Sequence, residues 1–276
     1  MKTVFYPLKE TWEDLCKRPA MDTSGLNTAV QEILEKVRSE GDKALFNYSE
    51  KYDRVTLAGI KLTQTELYES AALIPSDLKT AINIAHQNIE KFHESQLVIE
   101  EVIETVPGVK CWRKNVPIDK VGLYIPGGTA PLFSTVLMLG VPAKIAGCGR
   151  IILCTPPDKN GNVNPLILYA AALTGITEIF KIGGAQAVAA MAYGTETVPK
   201  VSKIFGPGNQ YITKAKEMVQ AGGVAIDMPA GPSEVLIIAD SSANPAYVAA
   251  DLLSQAEHGT DSQVVFLSDN MEMLIS

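Results

Sequence analysis

The sequence predicts an α/β protein with two domains and mainly parallel sheets, and two patterns support this. Residues 22–96 are charged and space their apolar side chains as helices do. From Val121 onward, short apolar segments alternate with helices rich in small residues, and glycine and proline cluster at the joints. Alternating strand and helix segments of this length favour a parallel sheet with helices on its faces.

The first hundred residues predict a series of helices. Leu26–Ser39 carries an apolar stripe at helical spacing, Gly41 ends it, and a second helix is expected over residues 42–52. Thr63-Gln-Thr-Glu66 matches a capping box, in which a hydroxyl and a carboxylate bond each other's backbone N–H groups at a helix start. Ser76–Gln96 repeats the apolar stripe and predicts a long helix.

The remaining elements follow from shorter patterns. Val98–Val106 and Val109–Val116 flank Pro107-Gly108, a turn signal, so we expect a hairpin or a connector there. The predicted strands are Val121–Ile125, Arg150–Cys154, Glu178–Ile182, Lys203–Phe205, Val224–Asp227, Glu234–Ala239 and Gln263–Leu267. The predicted helices between them are Phe133–Ala146, Pro165–Leu173, Ala185–Tyr193, Asn209–Gln220 and residues 244–258.

These elements predict a discontinuous domain organisation. Residues 1–21 are expected to form an N-terminal arm, residues 22–119 with 233–276 a first α/β domain, and residues 120–232 a second α/β domain inserted into the first. The sequence stops at Ser276, as a further helix begins near Met271. A βαβ unit cut there leaves a sheet edge uncovered, so we expect the first domain to be incomplete.

Composition argues against several classes of partner. The net charge of −7 makes nucleic acid an unexpected ligand, because its binding depends on clustered Lys and Arg. No apolar run approaches the length of a membrane helix, and the first residues have neither the apolar stretch nor the cleavage site of a signal peptide. We therefore expect a cytoplasmic protein without a membrane partner. The four cysteines form no C-x-x-C pair, which favours buried free thiols over a thiolate metal site.

Four glycine-containing loops have a composition that suits a dinucleotide. They span residues 122–128, 182–187, 205–209 and 228–234. Glycine lets backbone N–H groups approach a ligand, helix N-termini favour phosphate, and Asn or Gln bonds ribose or amide groups. Each loop alone could simply turn the chain, and no Gly-x-Gly-x-x-Gly sequence is present.

A second candidate site lies at the end of the last long predicted helix. Gln255 and His258 are three residues apart, so they share a helix face, and Gly259 is a suitable C-terminal cap. An amide oxygen and an imidazole nitrogen can both bind zinc, but they make half a site. The alternative is a histidine stabilised by the helix dipole.

Together these segments resemble the histidinol dehydrogenase family, in which they occur in the same order. The resemblance extends from about residue 22 onward and is carried by Val121-Gly-Leu-Tyr-Ile-Pro-Gly-Gly128, Lys181-Ile-Gly-Gly-Ala-Gln-Ala-Val-Ala-Ala190, Phe205-Gly-Pro-Gly-Asn209, Pro229-Ala-Gly-Pro-Ser-Glu-Val235 and Leu253-Ser-Gln-Ala-Glu-His-Gly259.

The resemblance implies two Rossmann-like, aldehyde-dehydrogenase-like domains, a homodimer, and an NAD- and zinc-dependent oxidation of L-histidinol to L-histidine through an aldehyde. It implies that NAD contacts Tyr124, Gln186 and Asn209. It also implies that Ser233 contacts the substrate, and that Gln255 and His258 bind both zinc and substrate.

The resemblance also implies where the catalytic residues would be. The family's Glu-His base pair and its remaining zinc ligands would lie beyond Ser276. We therefore expect no catalytic residue within this sequence and little activity from this chain alone.

Three alternatives remain at this stage. A related enzyme could use zinc and NAD to oxidise another small polar alcohol. An aldehyde-dehydrogenase-like enzyme could use Cys148 or Cys154 as a nucleophile. A non-catalytic fragment could bind nucleotide or serve only in assembly.

Overall fold

The computed structural model describes residues 3–17, 25–97, 101–127, 131–229, 234–256 and 262–275. The chain forms two compact units, one of residues 25–229 and one of the two terminal segments, 1–24 and 230–276. The predicted grouping of residues 22–119 with 233–276 stays a prediction, as does the N-terminal arm.

The predicted helices and strands are present with bounds that differ by a few residues. The helices are α1 (Trp12–Leu15), α2 (Leu26–Glu40), α3 (Asp42–Tyr48), α4 (Gln64–Ser70), α5 (Ser76–Glu94), α6 (Phe133–Ile145), α7 (Pro165–Leu173), α8 (Gly184–Tyr193), α9 (Gln210–Ala221), α10 (Pro245–Ala256) and α11 (Met271–Ile275). The strands are β1 (Ile103–Val106), β2 (Val109–Cys111), β3 (Lys120–Tyr124), β4 (Arg150–Thr155), β5 (Glu178–Lys181), β6 (Lys203–Phe205), β7 (Ala225–Ile226), β8 (Glu234–Ile238) and β9 (Gln263–Leu267).

A five-stranded parallel sheet organises residues 25–229. Its strand order is β5-β4-β3-β6-β7, with Leu123 of β3 in register with Leu153 of β4 and Phe205 of β6. This confirms the predicted α/β class with mainly parallel strands. The chain runs outward from β3 in one direction to β5 and then in the other to β7. The order therefore reverses between β3 and β6, which is where open parallel sheets bind ligands, beyond the carboxyl ends of the strands.

The two faces of the sheet carry two separate hydrophobic cores. Along β3 the side chains alternate, so that Leu123 packs with α6 and α7 in one core and Tyr124 packs with α8 in the other. Leu153 and Cys154 of β4 divide in the same way. The period of two along each strand thus decides which side chains reach each layer of helices.

The N-terminal helices cover both of these layers. Helix α2 packs on α8 and α9, whereas α5 packs on α6 and α4 packs on α7. The capping box of α4 is confirmed: Glu66 Oε2 accepts from Thr63 N at 2.7 Å, and Thr63 Oγ1 accepts from Glu66 N at 3.2 Å. Lys181, the last residue of β5, reaches the same carboxylate at 3.0 Å and joins α4 to the sheet.

One predicted helix is wrong in its second half. Residues 42–52 were expected to form one helix, but α3 ends at Tyr48 and Ser49–Asp53 forms a wider π-helical turn. The turn ends at Arg54, which adopts a left-handed conformation with φ of 58°. Apolar spacing does not distinguish the two helix types, because both place side chains at similar intervals over one turn.

Two smaller sheets complete the described elements. Strands β1 and β2 pair antiparallel around Pro107-Gly108, so of the two predicted alternatives, a hairpin or a connector, the hairpin is present. In the other unit β8 and β9 pair in parallel, with α10 connecting and packing on them. The helix expected near Met271 is present as α11, and Ser276 lies outside the described residues. Within the described residues, no helix combines the length and the apolar character needed to cross a membrane.

Candidate functional site

The carboxyl ends of β3 and β6 define the candidate site within residues 25–229. Residues 125–127 follow β3, residues 206–209 lead from β6 into α9, and residues 182–183 connect β5 to α8. Two of the four glycine-containing segments picked out from the sequence, 182–187 and 205–209, therefore open helices at this edge. Part of a third, 122–127, ends β3 there.

Tyr124 and Gln186, both expected to contact NAD, meet at the N-terminus of α8. The Tyr124 hydroxyl accepts a hydrogen bond from the backbone N–H of Gly184 at 3.2 Å. No side chain caps this helix at Gly183, so the phenol satisfies one of the free N–H groups of its first turn. Gln186 is 1% exposed and its carboxamide folds back over Gly184, where an added side chain would collide with it.

The environment of Tyr124 keeps its hydroxyl protonated. Tyr124 is 4% exposed, and this burial raises the pKa of its phenol to about 12. The Gly184 N–H acts in the opposite direction, and the negative charge of Asp53 adds to the increase. At neutral pH the group is therefore a neutral hydrogen-bonding phenol and not a general base.

Asn209, the third residue expected to contact NAD, lies at the same edge and has a structural task as well. It is the N-cap of α9, and its Oδ1 accepts from Tyr211 N at 3.1 Å and from Ile212 N at 3.2 Å. These two bonds engage the carboxamide oxygen in capping the helix. The exposed NH₂ group remains as a donor.

Gly206 brings the loop before Asn209 against the end of β3. Its φ is +132°, and a side chain at this position would collide with the carbonyl oxygen of Tyr124. Glycine is therefore required both by the backbone conformation and by the close approach of the two segments. The close packing joins the backbone of one expected NAD contact to the loop that carries another.

Asp53 is a member of this neighbourhood that the sequence did not reveal. It ends the π-helical turn, and its Oδ2 is buried without a hydrogen-bond partner among the described residues. Burial raises the pKa of its carboxyl group to about 6, and its charge acts on Tyr124. A single Asp between Tyr52 and Arg54 matches no motif, so only the irregular turn, visible in the structure, draws attention to it.

A cavity of about 630 Å³ opens beside the end of β3. Pro126 and Gly127 line it from the β3 side, and Pro156 and Pro157 from the β4 side. Its opposite wall comes from α4 and from the loop before α7. The volume is in the range of small-molecule and cofactor pockets, and the position at the carboxyl edge is the one expected for an open parallel sheet.

The expected zinc and substrate residues are in the other unit and only Gln255 is described. Gln255 lies in the last turn of α10, partly buried, and its Nε2 donates to Ser262 Oγ at 3.2 Å. This bond leaves Oε1 available as a ligand atom. Ser233 and His258 lie outside the described residues. Among the residues that are described, no group of three potential ligands is arranged to hold a metal ion.

None of the site residues discussed above is a candidate for the expected Glu-His base pair. Its placement beyond Ser276 follows from the resemblance alone, and Ser276 itself lies outside the described residues. That placement therefore stays a prediction, as does the expectation that this chain holds no catalytic residue.

The structure argues against the cysteine-nucleophile alternative. Cys154 is fully buried in β4, and this burial raises the pKa of its thiol far above the ordinary value. Burial also raises the pKa of Cys148, which is partly exposed after α6. Nucleophilic cysteines need the opposite shift, toward the thiolate at neutral pH.

Comparison with known proteins gives a consistent result. The sequence model of the histidinol dehydrogenase family matches residues 16–276. The histidinol dehydrogenase of Bacteroides thetaiotaomicron is 60% identical to the chain over 273 residues, and that of Bacteroides fragilis is 55% identical over the same length. The crystal structure of histidinol dehydrogenase from Elizabethkingia anophelis superposes with a TM-score of 0.93 at 55% identity and covers 98% of the chain.

The matches extend over nearly the whole chain but over part of each relative. The alignments cover 99% of this chain and 64% of each Bacteroides protein, and 62% of the Elizabethkingia chain. The chain thus spans somewhat less than two thirds of the length of the relatives that it matches.

Proposed function

The chain belongs to the histidinol dehydrogenase family of oxidoreductases, and on this premise we propose that it carries the NAD-binding part of an enzyme that oxidises L-histidinol to L-histidine. The proposed reaction has two successive hydride transfers with histidinaldehyde between them. For the chain by itself we propose NAD binding with little turnover, because the family's Glu-His base pair is expected beyond Ser276 and has no counterpart at matching positions here.

One observation carries the NAD proposal. Tyr124 and Gln186, far apart in sequence, meet through Gly184 at the start of α8, beside the point where the strand order reverses. A helix start with a neutral phenol and a carboxamide at hand offers neutral hydrogen-bonding groups. This suits the pyrophosphate and ribose groups of a dinucleotide.

The neighbouring residues at this edge are compatible with NAD in polarity. The close approach at Gly206 holds the loop of Asn209 against the end of β3, and the Asn209 NH₂ group is free to donate. The cavity beside the end of β3 lies at the same edge, but Tyr124, Gln186 and Asn209 do not line it. Bound NAD would supply the hydride acceptor. The roles proposed for the chain's own residues are to bind and orient it: Tyr124 and Gln186 at α8, and Asn209 at α9.

We propose that Gln255, together with His258, binds zinc and through it the substrate, and that Ser233 contacts the substrate. The support for Gln255 is that its Nε2 donates to Ser262 Oγ, which leaves Oε1 as the atom that could bind the metal. Neutral oxygen and nitrogen ligands suit a zinc ion that mainly positions a substrate. A homodimer in the cytoplasm remains part of the same proposal.

The proposal is tested by titration calorimetry of the 276-residue chain with NAD. We expect saturable binding by the wild-type chain, weakened by Gln186→Ala. The matched control is Gln220→Ala near the exposed end of α9, which should leave the affinity for NAD unchanged. No heat of binding by a folded wild-type chain would contradict the proposal and favour a non-catalytic role.

The second part of the proposal, little turnover by the chain alone, is tested by an activity measurement. With L-histidinol and NAD, the chain alone should produce NADH at least about 100-fold more slowly than a family-length protein, because a positioned base contributes about that much or more. The alternative of another small polar alcohol predicts that a family-length protein prefers a substrate without an imidazole. Comparison of kcat/KM for histidinol with that for such alcohols distinguishes the two.

A further inference from the structure

A charged pair holds the backbone of Gly206 from both sides. Lys216 of α9 is 5% exposed, and its Nζ donates to the carbonyl oxygen of Gly206 at 2.8 Å. The same ammonium group forms an ion pair with Oδ1 of Asp227, the residue after β7. Asp227 Oδ2 accepts from the backbone N–H of Gly206 at 2.8 Å. Both polar groups of one backbone residue are therefore bonded by the two members of one ion pair.

The conformation of Gly206 explains why side chains take this task. With φ of +132° the chain leaves the direction of β6, so its N–H and C=O no longer continue the ladder of the sheet. A buried backbone group without a hydrogen-bond partner is costly, and Lys216 and Asp227 provide the partners for Gly206. A partly buried ion pair contributes little net stability compared with apolar side chains, because both charges lose water. Its benefit here is the fixed geometry of the loop.

We infer that Lys216 and Asp227 are positioning residues for NAD, an inference that rests on the proposed function. Gly206 packs against the carbonyl oxygen of Tyr124 and lies three residues before Asn209. Lys216 sits on the helix that Asn209 caps. By fixing Gly206, the pair holds the loop of Asn209 against the end of β3 and sets the spacing between two groups that bind the dinucleotide.

An ion pair elsewhere in the sheet shows what a purely stabilising pair looks like. Arg150 and Glu178 begin β4 and β5, and Arg150 donates twice to the Glu178 carboxylate at 2.7 Å. Among the bonds of the described residues, neither side chain of this pair holds a loop backbone. It lies at the amino edge, away from the candidate site. Glu178→Gln is therefore a matched control for Lys216→Met.

The experiment measures NAD affinity by calorimetry and stability by urea unfolding in the 276-residue chain. Lys216→Met should weaken NAD binding at least about tenfold, since small displacements of binding groups have effects of this size. Glu178→Gln should leave the dissociation constant unchanged. Asp227→Asn retains an acceptor for the Gly206 N–H, so this variant should fold even if Lys216→Met does not. It should weaken NAD binding about threefold or more.

A spectroscopic readout separates positioning from stability. In the wild-type chain, NAD should shift the NMR signals of the Asn209 side-chain NH₂ group, and in folded Lys216→Met or Asp227→Asn this shift should be smaller at saturation. Unchanged NAD affinity and an unchanged shift in both variants would overturn the inference while the proposed function stands. Absence of NAD binding by the wild-type chain would instead overturn the proposed function, and this role of the pair with it.

Discussion

The two edges of the five-stranded sheet use charged side chains in different ways. At the amino edge the side chains of Arg150 and Glu178 are 42% and 25% exposed. They bond each other, and Glu178 also forms an ion pair with Lys61 at 3.6 Å. At the carboxyl edge Lys216 is buried, and with Asp227 it holds the backbone of Gly206. The two pairs differ in whether they bond the backbone of a loop. This difference, and not the distance between the two charges, distinguishes a pair that only stabilises from one proposed to shape a site.

The largest effect is expected from replacing Gly206, at the carboxyl edge, with alanine. Gly206→Ala adds a collision with the Tyr124 carbonyl to a strained φ, so we expect a loss of about 3 kcal/mol or more in the free energy of unfolding. Gly175→Ala is the control, since Gly175 also has positive φ (+78°) but has open space around it, before β5 at the amino edge. It should cost about 1 kcal/mol. Equal losses in urea unfolding would contradict the close approach.

The second prediction compares Tyr124, on the α8 face of the sheet, with Tyr169, on the opposite face. Tyr124→Phe removes the acceptor of the Gly184 N–H, and we expect about 1 kcal/mol lower stability and about tenfold weaker NAD binding. Tyr169→Phe is matched to it, because the Tyr169 hydroxyl accepts from Asn83 at 3.1 Å between α7 and α5. That control should lose similar stability and keep its NAD affinity, as measured by calorimetry. Weakened binding in both variants would argue against a specific role for Tyr124.

A third effect depends on pH and concerns Asp53. Its pKa is raised from 3.8 to about 6, so the folded chain binds this proton more tightly than the unfolded chain does. The resulting stabilisation is present below pH 3.8 and is lost as the pH rises through about 6. Asp53→Asn should therefore raise the free energy of unfolding by about 1 kcal/mol near pH 8, with no gain at about pH 4. This is less than the whole pKa shift would give, because the side chain is partly solvated.

The control for that pH dependence is Asp251→Asn, an exposed position in α10. Urea unfolding at a series of pH values should give parallel curves for this variant and the wild-type chain. If Asp53→Asn also gave a parallel curve, the unpartnered carboxylate would not be buried as described.

The smallest effect is expected at the amino edge. Glu178→Gln removes the carboxylate that pairs with Arg150 and Lys61, but all three side chains are partly solvated, so the loss of stability should be about 0.5 kcal/mol. It should decrease further at high salt, which screens exposed charges. A loss above about 2 kcal/mol at low salt would remove the contrast between the two edges.

Local patterns made most of the fold predictable from sequence. Lys203–Phe205 and Pro165–Leu173 have the predicted bounds because Gly206-Pro207 ends the strand and Asn164 caps the helix with its side chain. The capping box at Thr63 was found for the same reason: its two partners are three residues apart. The π-helical turn at Ser49–Asp53 was missed, since the same apolar spacing suits a regular helix.

The candidate site was predictable only in part. Glycine loops indicated the segments that carry Tyr124, Gln186 and Asn209, but their roles stay predictions. Lys216 and Asp227 were missed because they meet Gly206 from two different elements, and no local spacing encodes such a meeting. That Asn209 Oδ1 caps its own helix could have been recognised, since Asn before a helix is a frequent cap.

The alternation along β3 ties the proposed NAD contact of Tyr124 to strand pairing. Leu123 and Tyr124 are adjacent, yet one belongs to the α6–α7 layer and the other to the α8 layer. A slip of one residue in the pairing of β3 with β4 would exchange them, sending a phenol into an aliphatic interior and a leucine to the start of α8. An insertion or deletion within β3 would therefore remove the proposed nucleotide contact and the packing of both layers in a single step.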